Sequence, residues 1–211
     1  MELKFDSRTD ILEVFPTRLF MFAIEGSAPL NDALKAAVLT REASGAPNAG
    51  RVIGGWQSGG DLFDWPDKGV DTIRQTALGA AQVVVPQIAG GDCTFEVRLS
   101  GSATVLRYGA YEKSHLKAGH HLTMIYTVEA GDAPNADAPE SGTIEIDDPR
   151  GAACLAGLPI DPVGSPMLVA PKNGQLTVFP SWLTFRTNPY YGDGERVTLT
   201  LAAEILNLKR S

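Results

Sequence analysis

The sequence predicts a mainly β fold with flanking helices in a jelly-roll arrangement, and three observations predict it. Two helix-periodic stretches come early, between about residues 29 and 88. A series of short β-type runs follows from Gly90 onward, and Gly, Pro, Asn and Asp separate most of those runs. With 211 residues, 44% of them hydrophobic and 20% charged, the chain is long enough to bury one core without disulfides. A single domain spanning 1–211 is expected, its N-terminal helices packed on the barrel.

Taken in order, Ile11 to Ile24 mixes β-branched and aromatic residues around Pro16 and reads as an edge strand broken by a turn. Leu34, Ala37, Val38 and Leu39 recur at helical spacing and predict a helix from Asn31 to Arg41, with Asn31 or Asp32 as its cap. Val70, Ile73, Ala77, Ala81 and Val84 predict a second helix from Asp67 to about Val85, capped by Asp67 and ended by Pro86. Between the helices, the glycines and two tryptophans of GGWQSGGDLFDW (54–65) suggest a loop packed against other structure.

The β-type runs are Thr94 to Leu99, Ala103 to Tyr108, Leu122 to Val128, Thr143 to Ile146, Met167 to Ala170, Gln175 to Phe179 and Arg196 to Leu206, with a further strand around His115. Ala130 to Gly142, polar and proline-containing, reads as a mobile hairpin loop.

Charge and composition narrow the function classes. A net charge of -7, with no basic run longer than Lys209-Arg210, argues against nucleic acid and anionic membrane surfaces and leaves a small molecule as the expected partner. The N-terminus is polar and no apolar run approaches the ~20 residues that span a bilayer, so a cytoplasmic protein is expected. Cys93 and Cys154 lack metal or disulfide spacing and read as buried thiols. No GxSxG elbow supports serine hydrolysis.

Strand alternation locates the candidate chemistry. Without a bulge, His115, Lys117, Gly119 and His121 share one face, and His120 joins Leu122, Met124 and Tyr126 on the other. In the last long strand Arg196, Thr198 and Thr200 oppose Val197, Leu199 and Leu201. A cation thus sits on the polar face of both strands. In a barrel such a face can line a ligand cavity while the apolar face lies under helices. Taken singly, Arg196 reads as a surface cation paired with Glu195 or Asp193, Asp148 and Arg150 as a turn with an ion pair, and Trp56, Trp65 and Trp182 as packing anchors.

The segments FPTRLF (15–20), GGWQSGGDLF (54–63), GAYEKSH (109–115), HLTMIYTV (121–128), DDPR (147–150) and FPSWL (179–183) followed by ERVTLTL (195–201) resemble a bacterial family of 2-oxoglutarate/iron(II)-dependent oxygenases. The resemblance covers nearly the whole chain. It implies a double-stranded β-helix, the cupin-like form of the jelly roll. There a histidine, a second ligand two residues later and a distal histidine hold iron(II), leaving positions for the 2-oxoglutarate keto-acid group and oxygen. A basic residue grips the far carboxylate.

Carried over by position, His115 matches the first metal ligand, Lys117 stands at the second and Phe185 at the distal one, while Arg196 and Thr198 match the cosubstrate clamp. An ammonium and a phenyl ring are poor company for iron(II). His121, with His120, completes a metal site only if a bulge undoes their opposite parity. Two readings follow: an oxygenase of unknown substrate, active or degenerate, in which His115 ligates metal and Arg196 and Thr198 bind the cosubstrate, or a metal-free module in which Lys117, Arg196 and His115 hold a small carboxylate. A third keeps the barrel as an interaction scaffold such as a homodimer, although the sequence offers no interface stripe.

Overall fold

The computed structural model describes residues 4, 6, 8, 15–45, 48, 51–150 and 164–210. The expectations for Ile11 to Val14 and for Cys154 fall outside them.

The described elements run β1 (Phe20–Ala23), α1 (Ala28–Ala43), β2 (Val52–Ile53), β3 (Trp56–Gln57), a 3-10 turn (Leu62–Asp64), α2 (Lys68–Ala89), β4 (Cys93–Leu106), β5 (Tyr111–His115), β6 (Leu122–Glu129), β7 (Ile144–Ile146), β8 (Met167–Val169), β9 (Gln175–Pro180), β10 (Phe185–Thr187) and β11 (Arg196–Arg210). They form a six-stranded sheet in the order β1-β9-β6-β11-β4-β3 and a five-stranded sheet in the order β2-β5-β10-β7-β8. Every ladder between strands is antiparallel. This is the jelly-roll, double-stranded β-helix architecture.

The larger sheet buries both faces by strict alternation. Val197, Leu199, Leu201 and Ala203 of β11 join Leu122, Met124, Tyr126 and Val128 of β6 in one apolar cluster with Leu34, Val38, Ile73, Ala77 and Val84 of the two helices. The opposite face, carrying Arg196, Thr198, Thr200, Thr123, Ile125, Thr127 and Thr177, looks toward the smaller sheet. There Ile125 and Phe179 pack with Ile144, Ile146, Val169 and Phe185. The helices therefore seal one side of the barrel wall, and a mixed polar and apolar interior lies on the other.

Several local expectations need correction. α1 starts three residues before Asn31, with Pro29 in its first turn, a place where a missing N–H costs nothing. Asn31 is buried and accepts a 2.5 Å hydrogen bond from the Tyr126 hydroxyl instead of capping. Asp67 does cap α2, its Oδ1 accepting from the amides of Gly69 and Val70 at 2.8 and 3.2 Å. Pro86 does not end α2: the helix runs on to Ala89 and stops at Gly90, whose φ of 78° ends it in a left-handed C-cap.

The two runs placed on either side of Gly101 are one strand, β4. Gly101 is no turn: a Cβ there would meet Leu201 at 3.0 Å and Leu62 at 3.1 Å, so glycine lets the 3-10 turn and β11 close over the strand. Residues 130–142 are not a hairpin either, because β6 and β7 belong to different sheets and this segment crosses between them. The packed reading of 54–65 holds: β3 pairs with β4, and Trp56, Leu62 and Trp65 are buried in the helix-side cluster. Trp182 is exposed rather than an anchor, and Cys93 is half-buried. No described helix is long and apolar enough to cross a membrane.

Candidate ligand site inside the barrel

The site is built where β5 and β10 of the smaller sheet face β11, β4 and β3 of the larger one. β5 is irregular: Phe185 stands opposite His115 but Thr187 stands opposite Glu112, so three steps on β5 match two on β10. This bulge turns Glu112 and His115 to the same side although they are three residues apart. Their side chains meet, with Nε2 of His115 3.5 Å from Oε1 of Glu112, and both are almost fully buried.

Each has a second constraint. The Nδ1 of His115 lies 2.8 Å from the carbonyl oxygen of Lys113, which can only accept, so Nδ1 carries the proton and Nε2 keeps its lone pair in the neutral ring. Glu112 accepts a 2.9 Å bond from Nε2 of Gln57, which also donates to Oγ1 of Thr104 at 3.1 Å. Glu112 thereby joins the two sheets through buried polar groups. Burial, partly offset by Glu112, pushes the His115 imidazole below its ordinary value.

Lys117 follows in the turn after β5, half-buried; burial also lowers its ammonium, against the attraction of Glu112, with Arg51 adding to the lowering. Phe185 packs directly on His115, the ring centroids 4.3 Å apart. The two segments that sequence matching assigns to the first and distal metal positions are thus brought side by side.

Arg196 is 1% exposed. Its Nε and both terminal guanidinium nitrogens are buried and have no hydrogen-bond partner among the described residues. Burial pushes it down to about 10, with Tyr190 and Glu112 pulling the other way. The surface pairing with Glu195 or Asp193 is therefore not found; Glu195 instead lies 3.8 Å from the guanidinium of Arg107. Gly142 makes room for Arg196: a Cβ there would sit 2.6 Å from its Nη1. Thr198, the second residue of the clamp, is buried on the same face, opposite Thr104 and Thr127.

The other sequence candidates disperse. His120 and His121 follow a turn into the larger sheet, so the shared face expected for His115 and His121 does not form. His120 contacts Oγ of Ser100 at 3.2 Å, and Nδ1 of His121 accepts from the amide of Ile205 at 3.0 Å. Asp148 and Arg150 form the expected local ion pair, which holds the Asp148 carboxyl well below the usual range. Glu112 and Gln57 went unnoticed in the sequence because only the bulge and the β3–β4 pairing bring them to this place.

The geometry separates two parts of a cofactor site. A buried guanidinium with three unsatisfied nitrogens fits a carboxylate, since a planar donor fork matches two carboxylate oxygens. The positions that sequence matching assigns to a metal do not offer iron(II) a donor set: of the three, only His115 has a lone pair, Lys117 brings positive charge, and Phe185 offers no donor at all. Among the described residues no group of three or more His, Cys, Asp or Glu side chains is arranged to hold a metal ion.

Comparison with known proteins agrees with the fold. Residues 103–201 match the family described as "Putative 2OG-Fe(II) oxygenase". No curated protein sequence matches the chain significantly. Among solved structures, a prolyl-4-hydroxylase from Pseudomonas putida superposes with a TM-score of 0.60 at 19% identity, covering 89% of this chain and 92% of that one. The viral collagen prolyl hydroxylase of Paramecium bursaria Chlorella virus-1, in complex with 2-oxoglutarate, gives 0.55 at 14%, with 88% and 94% covered. SnoN, a non-heme α-ketoglutarate-dependent epimerase from nogalamycin biosynthesis, gives 0.60 at 13%, with 89% and 76% covered. The chain has the fold of the 2-oxoglutarate/iron(II) oxygenases, and its residues 103–201 are similar to that family in sequence.

Proposed function

We propose that this protein is a metal-free binding module for a small-molecule carboxylate, built on the oxygenase fold. One observation carries the reading: the Arg196 guanidinium is fully buried, and none of its nitrogens has a hydrogen-bond partner among the described residues. A buried donor without a partner costs about 1–3 kcal/mol, more when charged, and a carboxylate bound in the barrel removes that cost. Lys117 and Phe185 at the metal positions support the absence of iron from this function.

A second reading, an iron-dependent oxygenase of unknown substrate, draws on the His115 tautomer. Hydrogen bonding of Nδ1 to a backbone carbonyl is how metal-ligating histidines are commonly oriented, and Glu112 stands beside the free Nε2.

Calorimetry on chelator-treated protein separates the two. Binding of butyrate, glutarate or 2-oxoglutarate without metal, abolished in Arg196→Met, is the expected result. Binding that appears only after iron(II) is added, with stoichiometric metal uptake, overturns the metal-free reading in favour of the oxygenase.

A further inference from the structure

Among the described residues, more positive charge gathers around Glu112 than one carboxylate balances. Arg196 and Lys117 both feel the field of Glu112, and Arg51 adds a third cation at the exposed rim. His115 does not offset them, because its free Nε2 is a neutral lone pair. Glu112 is itself already engaged by Gln57 at 2.9 Å. A monocarboxylate at Arg196 would still leave Lys117 with only a shared counter-charge.

We propose that the bound ligand is a dianion, a short dicarboxylate, whose second carboxylate is held by Lys117 at the place where an oxygenase of this fold would hold its metal. This rests on the Arg196 reading above and adds the second anchor. Lys117 stands two residues beyond His115, half-buried in the turn that follows the bulged strand, and its charge interacts with those of both Glu112 and His115. Its flexible stem brings a point charge with three donors to that cluster. Phe185, against the His115 ring, supplies an apolar wall in place of a third ligand. An ammonium there does part of the metal's electrostatic work on a carboxylate, but it can neither chelate a keto acid nor bind oxygen.

The test compares glutarate and 2-oxoglutarate with butyrate and 2-oxobutyrate by calorimetry, on the full chain in the presence of chelator. The wild-type protein is expected to prefer the dianions by about tenfold or more, the scale of one charge-assisted contact. Lys117→Met should reduce that preference to about threefold or less by weakening the dianions more than butyrate, and Lys117→Arg should retain most of it. Equal binding of monoanions and dianions by wild type, or a preference that survives in Lys117→Met, overturns the Lys117 anchor and leaves the Arg196 reading standing. Failure of every carboxylate to bind the wild-type chain overturns both.

Discussion

The phenyl ring of Phe185 lies against the imidazole of His115, the two centroids 4.3 Å apart across adjacent strands. The two positions that sequence matching assigns to the first and distal metal ligands are thus in side-chain contact. Replacing Phe185 by His and Lys117 by Asp should therefore rebuild a three-donor set on an unchanged frame. The double variant is expected to take up one equivalent of iron(II) under anaerobic reconstitution, measured by metal analysis, where the wild-type chain takes up little. No gain in the double variant would show that the frame has drifted as well.

Arg196 sets function against stability. Burying a guanidinium with no partner destabilises the ligand-free fold, so Arg196→Met should raise apo stability by about 1–3 kcal/mol in urea denaturation while abolishing carboxylate binding. An apo protein made less stable by this change would mean that Arg196 already has a structural partner.

Gly142 is the backbone counterpart of that clamp. Its φ of 62° and the 2.6 Å at which an added Cβ would meet Arg196 Nη1 both oppose a side chain. Gly142→Ala should cost about 1–2 kcal/mol from the left-handed conformation alone. It should also weaken glutarate binding by displacing the guanidinium. Calorimetry on the folded variant checks the second effect separately from the first.

His115 makes the fold acid-sensitive. Burial holds its folded value below the ordinary one of about 6.5, so between the two the unfolded chain binds more protons. Stability from this group is complete above about pH 6.5 and declines as pH falls through the folded value. Thermal unfolding at a series of pH values should show that decline in wild type and a flatter profile in His115→Gln.

Much of the fold was legible because burial follows simple periodicities here. Alternation in residues 196–201 gave both the helix-side face and the interior face of β11, and Asp67 marked the start of α2. What escaped was set by tertiary contact. Gly101 reads locally as a break, yet the approach of Leu62 and Leu201 makes it a strand position. Pro86 reads as a stop, yet the helix continues past it to a glycine cap. Within the site, Arg196 and His115 could be reached by alternation and motif matching. Glu112 could not, because ideal alternation puts it on the opposite face from His115 and only the β5 bulge reverses that.

The place of β11 in the larger sheet has a consequence for how the chain is made. Its residues, 196–210, pair with β4 on one side and β6 on the other, and so fill the middle of a sheet whose other strands all come earlier in the sequence. While these residues are still in the ribosome, β4-β3 and β1-β9-β6 each present an open edge, and the apolar face under the helices lacks Val197, Leu199 and Leu201. Closure waits for the last strand, between partners far apart along the chain, which is the topology of slow folding. During synthesis those two edges are where a chaperone would have to act.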